Sequence, residues 1–222
     1  MHLPEKQNEK TKHRLQFITN QWSETPLAEQ VEEACKAGCR WIQLRLKEIP
    51  YEKWMETAQT VQTICNSYNA TFIINDNVDI AMKTDADGVH LGKDDMCPEK
   101  ARELLGKDKI IGGTANTLND ILQLVDKGVD YVGLGPFRAT LTKKKLSPIL
   151  GLEGYEMIMK ELEKRKINIP VIAIGGIGED DIENIINTGM SGIAISSLIS
   201  HHNNPQQITG LLLEKINTLC YK

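Results

Sequence analysis

The amino-acid sequence predicts an α/β protein built as a single (β/α)₈ TIM barrel. Short apolar segments recur along the 222 residues at fairly even spacing, and amphipathic helical segments lie between them. Alternation of strand and helix is typical of parallel sheets, and eight such units in roughly 200 residues match a small barrel. We therefore assign residues 1–222 to one domain, with residues 1–12 as a polar N-terminal extension.

The predicted strands are runs of β-branched and other apolar residues, and most of them lack strict polar alternation. Runs of this kind are typical of strands buried on both faces, as parallel sheets require. The runs are Arg14–Thr19, Trp41–Arg45, Thr71–Asn75, Gly88–Gly92, Ile110–Thr114, Tyr131–Gly135, Val171–Gly176 and Gly192–Ser197.

The segments between the strands show helical periodicity and helix end signals. "PLAEQVEEACKAG" places Leu27, Val31 and Ala34 on one side, and "TLNDILQLVDKG" starts with the good N-cap residue Thr117. The segment after Val78 is compressed, which predicts a short helix there. A doubly wound open sheet is the alternative fold, but no GxGxxG motif follows the first strand.

Composition restricts the classes of function. The chain is 41% hydrophobic and 25% charged, as in ordinary globular proteins, and its net charge of −4 argues against a general nucleic-acid binder. The N-terminal "MHLPEKQNEKTKHR" lacks the apolar centre of a signal peptide, and no run approaches the roughly 20 apolar residues of a membrane helix. The five cysteines form no CxxC pair. We expect a cytoplasmic protein with reduced thiols and no membrane partner.

Polar residues cluster just after the predicted strands, where barrel enzymes place their chemistry. Gln43, Arg45 and Lys47 alternate along the exit of the second strand, so they face the same side of the barrel mouth. The other strand ends carry Asn75, Asp76, His90, Asp94, Asp95, Thr114, Asn116, Thr140, Thr142, Lys143, Gly175, Gly176, Ser196 and Ser197.

These residue types suit phosphorylated ligands. Arg45, Lys47 and Lys143 supply cationic donors, and Asp76 and Asp95 supply the hard oxygen ligands that Mg²⁺ prefers. Glycine and serine after the last two strands allow backbone N–H groups to approach an anion. The set predicts one diphosphate bound with Mg²⁺ and a second, separate phosphate.

Each of these polar residues could also have a purely structural role. Arg45 and Lys47 could be ordinary rim charges paired with Glu48 or Asp76, and a lysine run is usually a solvated loop. Asp76 could cap the short helix that follows it. His90 lies inside a strand and is better explained as a packed, hydrogen-bonded histidine than as a base. The functional interpretation depends on the combined placement of polar residues at successive strand ends.

The sequence resembles the thiamine phosphate synthase family over nearly the whole chain. "QLRLK" is similar to the family's Q-x-R-x-K, "INDNVDIA" to its I-N-D segment, and "ADGVHLGKDDM" to its glycine–His–glycine–acid stretch. "DYVGLGPFRATLTKKK" resembles the GLGP…T-x-T-K-K loop, and "PVIAIGGI" and "GIAISS" resemble the last two strands. The combination of Q-x-R-x-K, N-D and T-x-T-K-K is specific.

The resemblance implies a Mg²⁺-dependent transferase. Such an enzyme joins 4-amino-2-methyl-5-(diphosphooxymethyl)pyrimidine to 4-methyl-5-(2-phosphooxyethyl)thiazole, forming thiamine phosphate and releasing diphosphate. Its partners would be small phosphorylated substrates rather than nucleic acid or membrane, and the question of a homo-oligomer stays open.

The resemblance also assigns roles by motif. It places the catalytic cations at Arg45, Lys47 and Lys143 and the Mg²⁺ ligands at Asp76 and Asp95. The pyrimidine diphosphate would be bound by Gln43, Arg45, Lys47, Asn75, Thr114 and Lys143. The thiazole phosphate would be bound by Thr140, Leu141, Thr142, Gly176, Ser196 and Ser197.

Three positions depart from the family pattern. Thr114 replaces the usual Ser, Asn116 stands where many relatives have His, and Ala139 stands where relatives usually have Pro. A related thiazole tautomerase branch depends on a histidine at the position of Asn116, so this alternative is disfavoured. A non-catalytic phosphate-binding barrel is the other alternative, and retention of both Asp76 and Asp95 argues against it.

Overall fold

The computed structural model describes residues 14–139 and 148–220, which contain a closed barrel of eight parallel strands. Each strand pairs with its sequence neighbours, and β1 closes the barrel by pairing with β8. The strands are β1 Leu15–Ile18, β2 Trp41–Leu44, β3 Thr71–Asn75, β4 Gly88–Leu91, β5 Ile110–Ala115, β6 Tyr131–Leu134, β7 Val171–Ile174 and β8 Gly192–Ile195. The predicted (β/α)₈ fold is confirmed, and the open-sheet alternative is wrong.

Helices follow the strands and cover the outside of the barrel. They are α1 Leu27–Lys36, α2 Tyr51–Ser67, α3 Val78–Lys83, α4 Pro98–Leu105, α5 Leu118–Asp126, α6 Gly151–Lys164, α7 Ile182–Asn187, α8 Ser197–Ser200 and α9 Pro205–Cys220, with a 3₁₀ turn at Glu179–Asp181. None of these helices, within the described ranges, is long and apolar enough to cross a membrane.

Strand alternation divides the apolar residues into two clusters. One alternate set of strand side chains packs outward against the helices, and the other fills the barrel interior. The interior cluster consists of Ile18, Trp41, Ile73, Tyr131, Ile172 and Ala194. Because this cluster closes the barrel's middle, ligands can enter only from its ends, and the polar residues lie at the carboxyl end.

The chain after β3 shows that Asp76 is not the N-cap of the short helix that follows it. The predicted short helix exists as α3, but its N-cap is Asn77, whose Oδ1 accepts a hydrogen bond from the Ile80 N–H at 3.0 Å. Asp76 has a positive φ of 67° and does not cap this helix. Its carboxylate lies at the rim instead, where it pairs with Lys47.

Helix α5 begins at the predicted cap. The Thr117 hydroxyl accepts from the Asp120 N–H at 3.1 Å, and the Asp120 carboxylate accepts from the Thr117 N–H at 2.9 Å. This reciprocal pair is a capping box.

Thr117→Ala should lower the free energy of unfolding by about 1 kcal/mol, because the Asp120 N–H loses its acceptor. Thr117→Ser, which keeps the hydroxyl, is the matched control and should stay close to the parent chain. Urea unfolding of the three proteins measures the difference. Equal stability of the Ala variant and the parent would contradict this role of the cap.

Candidate active site

A buried amide pair lies at the carboxyl ends of β2 and β3. Gln43 is 2% exposed, and its Nε2 donates a hydrogen bond to Asn75 Oδ1 at 2.7 Å. Gln43 Oε1 is also buried, and among the described residues it has no hydrogen-bond partner. A buried carbonyl without a donor is costly, and such atoms in native structures often mark ligand sites.

Two carboxylates meet at the rim beside this pair. Asp95 Oδ2 accepts from the Gly92 N–H at 2.7 Å, and its side chain lies within hydrogen-bonding reach of the Asp76 carboxylate. Burial and the adjacent Asp76 carboxylate raise the pKa of Asp95 to about 6. The positive φ of Asp76 and the 2.8 Å bond from its N–H to His90 O fix one side of this carboxylate pair.

Lys47 forms an ion pair with Asp76, one of the two partners considered from the sequence. The backbone of Lys47 is held on both sides by the Gln21 amide. The Lys47 N–H donates to Gln21 Oε1 at 2.6 Å, and Gln21 Nε2 donates to Lys47 O at 3.0 Å. The loop after β1 therefore positions the cation that follows β2.

Arg45 lies half-buried on the same rim. Burial lowers the pKa of its guanidinium, and the Asp76 carboxylate opposes that shift. Its backbone N–H donates to Thr19 Oγ1 at 3.0 Å, and its guanidinium lies 5.7 Å from the centre of the Trp22 ring. A partly desolvated guanidinium near one carboxylate and an aromatic face is well placed to bind an anion.

Thr114 is connected to the barrel interior through His90. His90 Nε2 lies 2.9 Å from Thr114 Oγ1, and His90 Nδ1 lies 3.0 Å from the Tyr131 hydroxyl. His90 is buried, so its interpretation as a packed, hydrogen-bonded residue is confirmed. Asn116 is structural as well, because its Nδ2 donates to Gly135 O at 2.5 Å.

A cavity of about 480 Å³ opens between the ends of β7, β8, β1 and β2. It is lined by Arg45, Gly176, Ser196 and Ser197, together with Trp22, His201 and several apolar residues. Gly176 has a φ of 68°, and a Cβ there would lie 2.9 Å from Arg138 Cβ. Glycine is required at this position on both counts.

An ion pair joins two loops beside this cavity. Arg138 forms a two-pronged bond with the Asp181 carboxylate, and its Nη1 also donates to Gly176 O at 3.1 Å. Asp181 Oδ2 accepts from the Gly178 N–H at 2.8 Å. Arg138 thus ties the exit of β6 to the glycine loop after β7.

Most of the predicted site residues come together, but not in one cavity. Arg45, Gly176, Ser196 and Ser197 line the large cavity, whereas Asp95 and Thr114 line a neighbouring cavity of about 250 Å³. Hydrogen bonds and ion pairs connect the remaining ones, which are Gln43, Lys47, Asn75 and Asp76. The predicted residues Thr140, Leu141, Thr142 and Lys143 lie outside the described residues.

Several residues of the site escaped the sequence analysis. Gln21 and Trp22 follow β1, where no motif marks them, and Asp181 lies in a run of acids that looks like a solvated helix start. The available signal for Gln21 and Trp22 is their position, since they are a polar and an aromatic residue at the exit of β1.

The donor set fits a magnesium ion bound together with a phosphorylated ligand. No group of three or more His, Cys, Asp or Glu side chains suited to a metal occurs in residues 14–139 and 148–220. Asp76 and Asp95 alone form a two-carboxylate site. Mg²⁺ commonly binds through one or two carboxylates plus water and phosphate oxygens, so the pair is sufficient for it.

Comparisons with known proteins show the family to which this chain belongs. The sequence profile of the family described as thiamine monophosphate synthase matches residues 15–199. Thiamine-phosphate synthase of Flavobacterium psychrophilum is 45% identical over 204 residues, covering 92% of this chain and 99% of the relative. The enzyme of the same name from Bacteroides thetaiotaomicron is 47% identical over 199 residues, which cover 90% of this chain and 95% of the relative.

A solved structure shows the same fold. Thiamine phosphate pyrophosphorylase from Pyrococcus furiosus superposes with a TM-score of 0.85 at 33% identity, covering 96% of this chain and 99% of that one. A closed parallel barrel with polar residues at its carboxyl rim defines a (β/α)₈-barrel enzyme. The chain belongs to the thiamine monophosphate synthase family, and the predictions of that family and of a transferase are confirmed.

Asp95→Asn should raise the melting temperature in a buffer with EDTA. The substitution removes the repulsion between two adjacent carboxylates, and the Asn Oδ1 can still accept from the Gly92 N–H. Asp108→Asn, at an exposed turn before β5, is the matched control and should leave the melting temperature unchanged. A drop in melting temperature for Asp95→Asn, measured by calorimetry, would show that the two carboxylates do not repel each other.

Proposed function

We propose that this protein condenses 4-amino-2-methyl-5-(diphosphooxymethyl)pyrimidine with 4-methyl-5-(2-phosphooxyethyl)thiazole, forming thiamine phosphate and releasing diphosphate in a Mg²⁺-dependent reaction. The observation that carries this proposal is the rim cluster in which Arg45 and Lys47 lie beside the carboxylate pair of Asp76 and Asp95. The cluster combines cations with a two-carboxylate metal site, which is the combination that a leaving diphosphate needs.

Departure of the diphosphate is the step that these cations assist. The bond from the exocyclic carbon of the pyrimidine to the diphosphate oxygen breaks, and the electron pair leaves with the oxygen. Arg45 and Lys47 stabilise the negative charge that develops there, and they are already held in place by Thr19, Trp22 and Gln21. Charges fixed before the reaction are the efficient form of such stabilisation.

Asp76 and Asp95 would hold Mg²⁺, which neutralises diphosphate charge when bound. Lys47, which pairs with Asp76, would contact the phosphate oxygens of a ligand bound beside the two carboxylates. Lys143 belongs to this group by resemblance alone.

The buried amide pair suits the pyrimidine ring. Gln43 Oε1 lacks a donor among the described residues, and the amino group of an aminopyrimidine supplies one. Asn75, fixed by its 2.7 Å bond from Gln43, lies directly before the metal ligand Asp76. The ring would then sit deeper in the barrel than its diphosphate.

The large cavity suits the thiazole phosphate. Gly176, Ser196 and Ser197 line it, and such small residues would allow backbone N–H groups to approach a phosphate. Arg45 also lines this cavity, which supports the binding of the two substrates side by side. By resemblance, Thr140, Leu141 and Thr142 complete this subsite. The thiazole nitrogen is itself a nucleophile, so the carbon–nitrogen bond forms without a strong general base.

The assay that tests this function measures diphosphate release from the purified protein. Release should require both substrates and Mg²⁺, because the nucleophile and the metal-assisted leaving group act in the same reaction. EDTA should abolish it. Conversion of a thiazole phosphate tautomer without diphosphate would support the tautomerase alternative, and binding without turnover would support a non-catalytic barrel.

Lys47→Met should lower kcat by roughly 10²–10³-fold, because one cation that stabilises the leaving diphosphate is removed. Lys160→Met, on the outer surface of α6 beside Glu156, is the matched control and should retain full activity. Steady-state diphosphate release and circular dichroism are measured on both variants. Normal turnover by a folded Lys47→Met protein would exclude Lys47 from catalysis.

A further inference from the structure

A chain of buried hydrogen bonds crosses the barrel interior from β1 to β5. Gln16 Nε2 donates to the Tyr131 hydroxyl at 3.2 Å, the hydroxyl lies 3.0 Å from His90 Nδ1, and His90 Nε2 lies 2.9 Å from Thr114 Oγ1. Gln16, Tyr131 and His90 are all buried. The chain therefore connects the interior of the barrel with a predicted substrate-binding hydroxyl at its rim.

Glycines on the neighbouring strands make room for this chain. A Cβ on Gly112 would lie 2.3 Å from the Tyr131 ring and 2.6 Å from His90 Nδ1. A Cβ on Gly133, which is opposite Thr114 in the sheet, would lie 3.1 Å from His90 Cε1. Two inward positions without side chains thus provide the space in which these rings contact each other.

The donors and acceptors of the chain determine which way its hydrogens point. The Gln16 amide nitrogen is only a donor, so the phenol oxygen of Tyr131 accepts from it. Burial raises the pKa of Tyr131, so the phenol keeps its hydrogen. Of the contacts that described residues make with this oxygen, His90 Nδ1 is the one that can accept that hydrogen.

This direction defines the tautomer of His90. Since Nδ1 accepts from Tyr131, the ring hydrogen is on Nε2, and Nε2 donates to Thr114 Oγ1. The Thr114 hydroxyl then accepts on its inner side, and its own single hydrogen is free to point toward the rim.

We propose that Gln16, Tyr131 and His90 are positioning residues that orient the Thr114 hydroxyl as a hydrogen-bond donor to the anionic substrate. This inference rests on the proposed function, in which Thr114 contacts the pyrimidine diphosphate. With the opposite tautomer, Nε2 would accept, Thr114 would give its hydrogen to His90, and only oxygen lone pairs would face the negative phosphates.

The first test reads the tautomer directly on the unsubstituted protein, and one variant serves only to assign the signals. The full chain labelled with ¹⁵N at its five histidines is studied by NMR, and the His90 ring signals are assigned by their loss in His90→Gln. The nitrogen shifts should show a neutral ring with its hydrogen on Nε2. A ring with its hydrogen on Nδ1 would overturn the proposal whether or not the protein is active.

The second test links the tautomer to catalysis. Tyr131→Phe should weaken the preference for the Nε2–H tautomer in the NMR spectrum and should lower kcat for diphosphate release by roughly tenfold, the effect of one misplaced hydrogen bond. In a Thr114→Val background the same substitution should cause no further loss. Tyr68→Phe, at the end of α2, is the matched control and should retain parental activity and spectra.

The outcomes separate this proposal from the proposed function. An active parent protein with equal losses from Tyr131→Phe in both backgrounds would overturn the positioning role and leave the synthase function standing. A parent protein that releases no diphosphate would overturn the function and, with it, the role of Thr114.

Discussion

The common direction of all eight strands is the constraint on which the site depends. Because every strand exits at the same rim, residues far apart in sequence become neighbours, as Lys47 and Asp76 do after β2 and β3. Alternation along each strand then decides which side chains face inward. Gln43 and Asn75 point into the barrel, and the apolar cluster around Trp41 and Tyr131 lies with them in the interior. The barrel thus supplies an apolar floor and a polar opening.

The charged side chains at the polar opening are in electrostatically unfavourable positions. Two carboxylates lie side by side, one cation is paired with only one of them, and a guanidinium is partly desolvated. Each of these arrangements costs folding free energy, since burying charge and placing like charges together are both unfavourable. A bound metal and a polyanionic ligand would remove these costs together. Costs of this kind concentrate where a protein binds and reacts rather than where it only folds.

Sequence reasoning located the elements and the rim residues because both depend on short-range rules. Strand runs, the Thr117 cap and the polar strand exits are visible in the sequence, and α3 was expected from the compressed segment after β3. The choice between Glu48 and Asp76 as partner of Lys47 was not predictable, since long side chains reach several rim positions. Nor was the contact of Tyr131 with His90, which depends on strand register and on the space left by Gly112.

A crystal structure of the protein soaked with magnesium and diphosphate tests the central claim most directly, because it shows where the metal and the anion bind without requiring turnover. The metal should contact Asp76 and Asp95, and the diphosphate oxygens should lie within hydrogen-bonding distance of Arg45 and Lys47. A metal bound away from both carboxylates, or a diphosphate bound away from the carboxyl rim of the barrel, would contradict the proposed leaving-group site.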